Sequence, residues 1–230
     1  MDIKVCGMRE AENIREIENL LTLRSALPLC SEKNSQFSSA MMGFIFWPKS
    51  SRYVSEPPAY LPVKAKRVGV FVDADINDIR QRIEDYGLDI IQLHGHESPE
   101  FIRSLRAACG DAIATIKAFN IAAFEDLEQT KAYEGLVDYF LFDTRMPLEE
   151  TGGRLPPGGT GKKFDWNVLE AYDGNTPFLL SGGIGPDDAD RVKAYYHPKF
   201  IGIDLNSRFE LVPGLKDAEK LKEFIKKIQE

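Results

Sequence analysis

Eight short apolar segments, strung along 230 residues and alternating with amphipathic stretches, predict an α/β fold closed as a (βα)8 TIM barrel around a parallel eight-stranded core. Three observations carry that prediction. The apolar segments are strand length and mostly lack polar alternation, as strands covered on both faces require. Helical patterns follow seven of them, the exception being the second. The length suits one compact barrel of ~250 residues, so residues 1–230 are expected to form a single domain. A doubly wound open sheet is the rival arrangement. The count of eight and the absence of a dinucleotide fingerprint favour the barrel.

The predicted strands are Ile3–Cys6, Met41–Phe46, Arg67–Val72, Ile90–Leu93, Ile113–Ala118, Tyr139–Phe142, Phe178–Leu180 and Phe200–Leu205. Between them, Ile76, Ile79, Ile83 and Tyr86 recur at helical spacing, as do Phe101, Ile102, Leu105 and Ala108. Near the C-terminus Leu221, Phe224, Ile225 and Ile228 form one stripe, with Lys222, Lys226 and Lys227 facing away. Ser98-Pro99-Glu100 and Gly185-Pro186-Asp187 each put a proline in a first helical turn. The stretch PKSSRYVSEPPAYLP after the second strand is rich in Pro and Ser and reads as a loop. Thr22–Ala40 and Met146–Pro157 exceed what a minimal barrel needs. The second follows a strand end, where a lid over the active face would sit.

Composition narrows the function classes. A net charge of -7 leaves no basic excess to neutralise nucleic-acid phosphates. Cys6, Cys30 and Cys109 are odd in number and irregular in spacing, which suggests neither a disulfide framework nor a zinc site and fits a reducing cytoplasm. The N-terminus lacks the layout of a signal peptide, and no apolar run approaches the ~20 residues that span a bilayer. Three scattered histidines give no metal-ligand spacing.

In such a barrel the chemistry sits at the C-terminal strand ends. Those ends carry Cys6, Pro48 to Arg52, Asp73, Gln92 and His94, Asp143, Gly182-Gly183, and Asp204 to Ser207. Acids, bases and anion binders are thus spread around one rim. LLSGGIGPDDA is the clearest anion signal: two glycines let the backbone approach a ligand, and a helix start follows. With IDLNSRFE it forms the strand 7–8 corner where many barrels hold a phosphate. The glycines also suit a tight turn. GGTGKK is not a P-loop, because Lys162 is not followed by Ser or Thr. Cys6 is open to two readings, a small buried hydrophobe or a group facing a ligand. Asp143 suits a cap or salt-bridge partner as well as an acid. Arg52 suits a solvated loop charge, and His94 a hydrogen-bonded core residue. His96 and His197 read as surface residues.

The segments KVCGMRE, GFIFWPKSSRYV, VGVFVDA, IQLHGHE, FDT followed by GGTGKKFDW, LLSGGIGPDDA, and GIDLNSRFE with PGLKD stand in the order seen in phosphoribosylanthranilate isomerases, and the resemblance spans essentially the whole chain. It implies a cofactor-independent Amadori rearrangement of N-(5-phosphoribosyl)anthranilate in tryptophan biosynthesis, without metal. It implies Cys6 as general base and Asp143 as general acid. Free thiols titrate near ~8.5 and Asp near ~3.9. Cys6 would therefore need help to ionise, and Asp143 a desolvated site to stay protonated. Arg52 matches the position that pairs with the anthranilate carboxylate, where a planar fork serves better than Lys. His94 faces the pocket. Asp204 lies near the sugar hydroxyls, and Gly182, Gly183, Asn206, Ser207 and Arg208 near the phosphate.

The strand 8 motif departs from the family's usual Val-Asp-Val-Ser-Ser-Gly-Val-Glu. Asn206 replaces a Ser, and Arg208 replaces the Gly. Arg208 is strained if that backbone needs a positive φ, and otherwise can add a charged contact to the phosphate. The competing expectations are another phosphosugar isomerase or epimerase and a non-catalytic phosphosugar-binding barrel. A histidine-pathway isomerase would use two Asp and show a half-barrel repeat. An epimerase would need His and Asp metal ligands at strand ends. No nucleic-acid or membrane partner is expected, and the chain is expected to be a monomer or homodimer.

Overall fold

A computed structural model describes residues 1–22, 39–110, 112–144 and 166–230. The strands β1 (Asp2–Cys6), β2 (Ala40–Ile45), β3 (Lys66–Phe71), β4 (Ile90–Leu93), β5 (Ala114–Ile121), β6 (Tyr139–Thr144), β7 (Phe178–Ser181) and β8 (Phe200–Leu205) pair in chain order, all parallel, and β8 closes on β1. The eight predicted strands are therefore the eight observed ones, and the rival open sheet is excluded. Three strands run further at their C-terminal ends than predicted, β7 by taking in Ser181. β6 takes in Asp143, and β5 reaches Ile121, because the Asn120–Asp143 and Ile121–Thr144 pairs extend the ladder towards the active end.

Alternation along the strands separates two cores. Met41, Val68, Ile90, Ile116, Leu141 and Leu179 pack together within the barrel. Their neighbours in sequence, such as Val5, Met42, Ile91, Phe140 and Leu180, turn outward against the surrounding layer. The helices of that layer are α1 (Ala11–Thr22), α2 (Ile76–Tyr86), α3 (Pro99–Cys109), α4 (Ala189–Ala194) and α5 (Ala218–Gln229). The α5 stripe is buried as predicted and its three lysines are exposed. In α3 the stripe ends early: Ile102 and Leu105 are buried but Ala108 is exposed. Ser98 caps that helix, its hydroxyl accepting the Phe101 N–H at 3.2 Å.

Three helical predictions need correcting. Phe124–Tyr133, after β5, and Trp166–Ala171, before β7, are 3-10 helices. After β7 a 3-10 turn, Pro186–Asp188, precedes the six-residue α4. No helix separates β2 from β3, as the Pro/Ser-rich loop predicted. That loop is clipped instead by buried Glu18 of α1. Its carboxylate accepts the N–H groups of Val63, Lys64 and Ala65 at 2.8, 2.6 and 2.9 Å, and the Tyr60 hydroxyl as well. A short hairpin, β9 (Glu210–Val212) with β10 (Leu215–Lys216), follows β8 and was not predicted. The proposed lid at Met146–Pro157, the glycine-rich GGTGKK and most of Thr22–Ala40 lie outside the described residues. Among the described residues no helix is long and apolar enough to cross a membrane.

Candidate active site

Cys6 is the last residue of β1, buried, on the inward face. Opposite it on β2 stands Gly43, its register partner. A Cβ at Gly43 would lie 2.8 Å from Cys6 Sγ, so only glycine leaves room for the thiol. Two residues before Cys6, on the same face, Lys4 is wholly buried, and its Nζ donates to Asp204 Oδ1 on β8 at 2.8 Å. Asp204 Oδ2 accepts from Ser181 Oγ on β7 at 3.2 Å. Ser181 is the register partner of Asp143 on β6. A row of polar groups thus runs around the rim from Cys6 to Asp143 through adjacent strands. Asp143 sits within its strand and not after it, because the barrel ladder extends to include it, and Asp204 lies within β8 as predicted.

Burial pushes the Cys6 thiol up from its ordinary value. Lys4 pulls against that, Asp204 adds to it, and Lys216 pulls down more weakly. The net direction is upward. Lys4 is shifted up in turn: burial disfavours its charge, but Asp204 and Cys6 outweigh the burial.

On the far side of the row, His94 Nε2 lies 3.6 Å from Asp143 Oδ2. Its Nδ1 is 3.2 Å from Gln92 Nε2. With the Gln92 amide donating, Nε2 carries the proton that faces the carboxylate. Buried Lys117 fixes this loop from outside the barrel wall. Its Nζ donates to Gly95 O at 2.7 Å and to Glu97 Oε2 at 3.0 Å, while Glu97 accepts the Gly95 and Asp73 N–H groups. His96 is exposed, facing Asp73 at 3.1 Å. His197 is buried, a correction: its ring is set between Tyr172 O and the Lys199 N–H at 3.1 Å each.

Arg52 is brought to the rim but is not a free charge. Its Nε donates to both Glu210 oxygens at 2.9 and 3.0 Å, and its Nη2 to Oε2 at 2.6 Å. This uses one edge of the guanidinium and leaves the Nη1/Nη2 edge for another carboxylate. Glu210 also accepts from buried Lys216 Nζ at 2.7 Å, and Lys216 donates to Asn206 Oδ1 at 2.8 Å. Burial would raise the Glu210 carboxyl, but the bonds from Arg52 and Lys216 hold it below its usual range. Asn13 of α1 anchors the hairpin, exchanging hydrogen bonds with the Lys216 backbone at 2.9 and 2.8 Å.

The β7 and β8 loops meet. Gly182 and Gly183 have φ of 94° and 68°, a turn that side chains resist. Arg208 lies against Gly185, its Cβ 3.6 Å from where a Gly185 Cβ would be. Among the described non-glycine residues only Asp73 has a positive φ, so Arg208 is unstrained and of the two readings strain is excluded. Ser207 and Arg208 are exposed and Asn206 is half-buried. The helix start after β7 is not an open donor set: Asp188 Oδ2 takes the Gly185 N–H at 2.9 Å.

Lys4, Ser181, Glu210 and Lys216 were not singled out from sequence. Lys4 had a signal, since alternation puts it on the Cys6 face of an apolar strand. Glu210 and Lys216 stand in the GIDLNSRFE and PGLKD segments, but no pattern there tells that a hairpin brings them in.

Comparisons agree with this geometry. The family profile described as N-(5'-phosphoribosyl)anthranilate (PRA) isomerase matches residues 22–227. An N-(5'-phosphoribosyl)anthranilate isomerase of Parabacteroides distasonis is 46% identical, covering 99% of this chain and 93% of that protein. One from Phocaeicola vulgatus is 45% identical over 100% and 98%. The crystal structure of the Thermotoga maritima phosphoribosyl anthranilate isomerase superposes with a TM-score of 0.76 at 28% identity, covering 100% of this chain and 98% of that one. Another isomerase structure, in complex with reduced 1-(o-carboxyphenylamino)-1-deoxyribulose 5-phosphate, gives 0.75 at 27% over the same shares. A barrel with this rim, matched along nearly its whole length, belongs to the phosphoribosylanthranilate isomerase family.

Proposed function

We propose that this chain converts N-(5-phosphoribosyl)anthranilate into 1-(2-carboxyphenylamino)-1-deoxyribulose 5-phosphate in tryptophan biosynthesis, with Asp143 as general acid and Cys6 as general base. The observation that carries the roles is the hydrogen-bonded row Lys4, Asp204 and Ser181 on adjacent strands, with Cys6 on the strand of Lys4 and Asp143 the register partner of Ser181, in a chain of this family. Asp143 gives its proton to the ring oxygen as the bond from that oxygen to C1 breaks, and the amine nitrogen supplies the electrons for a C1=N iminium. Cys6 thiolate then takes the C2 proton, and that electron pair forms C1=C2 while the iminium electrons return to nitrogen. Loss of the enol hydroxyl proton and protonation at C1 leave the ketone. C2 is oxidised and C1 reduced within one molecule, so the chemistry is that of an intramolecular oxidoreductase and calls on no external redox partner or metal.

The free edge of Arg52 holds the anthranilate carboxylate, and Asp204 accepts from a sugar hydroxyl. His94 orients the Asp143 carboxyl. The Gly182-Gly183 turn, Asn206, Ser207 and Arg208 take the phosphate. The setting is the cytoplasm, and the chain works as a monomer or homodimer.

The test is direct. Phosphoribosylanthranilate is generated in solution, the protein is added, and the substrate's fluorescence is followed with chromatographic identification of the product. Accumulation of the ketose supports the reading. Binding without conversion overturns it in favour of a non-catalytic phosphosugar-binding barrel.

A further inference from the structure

Lys4 has no part in the steps above, yet it is among the most costly residues in the barrel to bury. Its side chain has 0% exposure. An ammonium taken from water loses hydration that a single ion pair rarely repays as stability. Its position explains its presence. Lys4 and Cys6 share the inward face of β1 two residues apart, and Lys4 Nζ is fixed there by its 2.8 Å bond to Asp204 Oδ1, close enough for its charge to act on the thiol.

The charged groups around the thiol come from five elements. Lys4 is on β1, Asp204 on β8, Glu210 on β9, Lys216 on β10 and Arg52 on the loop after β2. Lys4 pairs with Asp204, while Lys216 and Arg52 share Glu210. Among the described residues three cations face two carboxylates there, so one positive charge is left over. A Cys6 thiolate completes the balance and a thiol does not.

From this arrangement we infer that Lys4 is a positioning residue that favours the proton-accepting form of Cys6 against the burial that opposes it, with Asp204 as the opposing charge that limits the effect. Lys4 acts through Cys6 and touches no substrate atom. The inference rests on Cys6 being the base.

The test is a pH titration of ultraviolet thiolate absorbance on the full chain, with the Cys6→Ser spectrum subtracted at each pH so that Cys30 and Cys109 cancel. Lys4→Met removes the cation and should raise the Cys6 midpoint by about one to three pH units. Asp204→Asn removes the opposing charge and should lower it. Lys4→Met/Asp204→Asn, which loses the pair without leaving a buried charge alone, should fall above Asp204→Asn. A purely structural Lys4 predicts unchanged midpoints or shifts in one common direction, and either result overturns the inference. Should Lys4→Met not fold, the order of Asp204→Asn and the double variant decides. The titration uses no substrate, so its failure would leave the proposed reaction standing. Absent turnover by wild type would remove the reaction and leave the thiol measurement valid.

Discussion

At Cys6 the barrel wall is thinned to fit a thiol, and the fit is testable atom by atom. Gly43→Ala would drive a methyl against Sγ, and a displacement of that order costs about 10² in turnover. Steady-state kinetics on the folded variant checks this. Burial would also set the pH at which Cys6 serves as the proposed base. Its raised value means that kcat/KM of wild type should climb with pH through a midpoint above the ~8.5 of a free thiol; a plateau already reached at neutral pH would contradict it. Arg52 depends on Glu210 for its aim. Glu210→Gln should raise KM more than it lowers kcat, because the fork loses its ionic tie but not its charge. Arg208→Gly should raise KM as a phosphate contact is lost; an unchanged KM sinks that contact. Cys6, Asp143 and Arg52 were legible because a motif presents them at strand ends. Their partners were not, since Lys4 reads as one polar residue in a strand and Glu210 meets Arg52 only through a hairpin 158 positions away.

Among the elements, strands were more legible than helices, for a physical reason. A strand buried on both faces is mostly apolar, and that signal survives in four residues, as in β4 and β7, each with a single polar residue. The outer layer needs only to cover the strands. A 3-10 turn such as Phe124–Tyr133 covers β5 with few buried side chains, Leu127 among them. Its sequence therefore resembles a weak helix. The β9–β10 hairpin was illegible because its role is to carry Glu210 and Lys216 inward while Leu211 and Val212 face out. That hairpin is held by α5: Phe224 packs on Phe209, next to Glu210, with ring centroids 5.0 Å apart. Phe224→Ala should cost about 3–5 kcal/mol, read as a lower urea midpoint with unchanged slope.

Across the whole molecule, closure of the barrel turns separate strand ends into one site. Asp143, Ser181 and Asp204 lie on the successive strands β6, β7 and β8, and Lys4 and Cys6 on β1 join them because β8 pairs with β1. Carboxylates tie the outer parts to this ring, and their titration sets the acid limit of the fold. Glu210, Glu18 and Glu134 are each pressed upward by burial, but hydrogen bonds to their charged forms hold them below the usual range. A folded value below the unfolded one adds stability that is complete above about pH 4.3 and lost as pH falls through the folded values. Unfolding followed by circular dichroism should therefore set in below about pH 4; constant stability down to pH 2 would contradict the bonding at these three sites. Asp143 and Cys6, at the two ends of the row, are the proposed acid and base that isomerise the sugar. The most direct measurement is fluorescence decay of freshly generated phosphoribosylanthranilate with wild type, Cys6→Ala and Asp143→Ala side by side. The account predicts fast decay for wild type and a fall of ~10² or more for each variant. A folded Cys6→Ala or Asp143→Ala protein that turns over at the wild-type rate would contradict it.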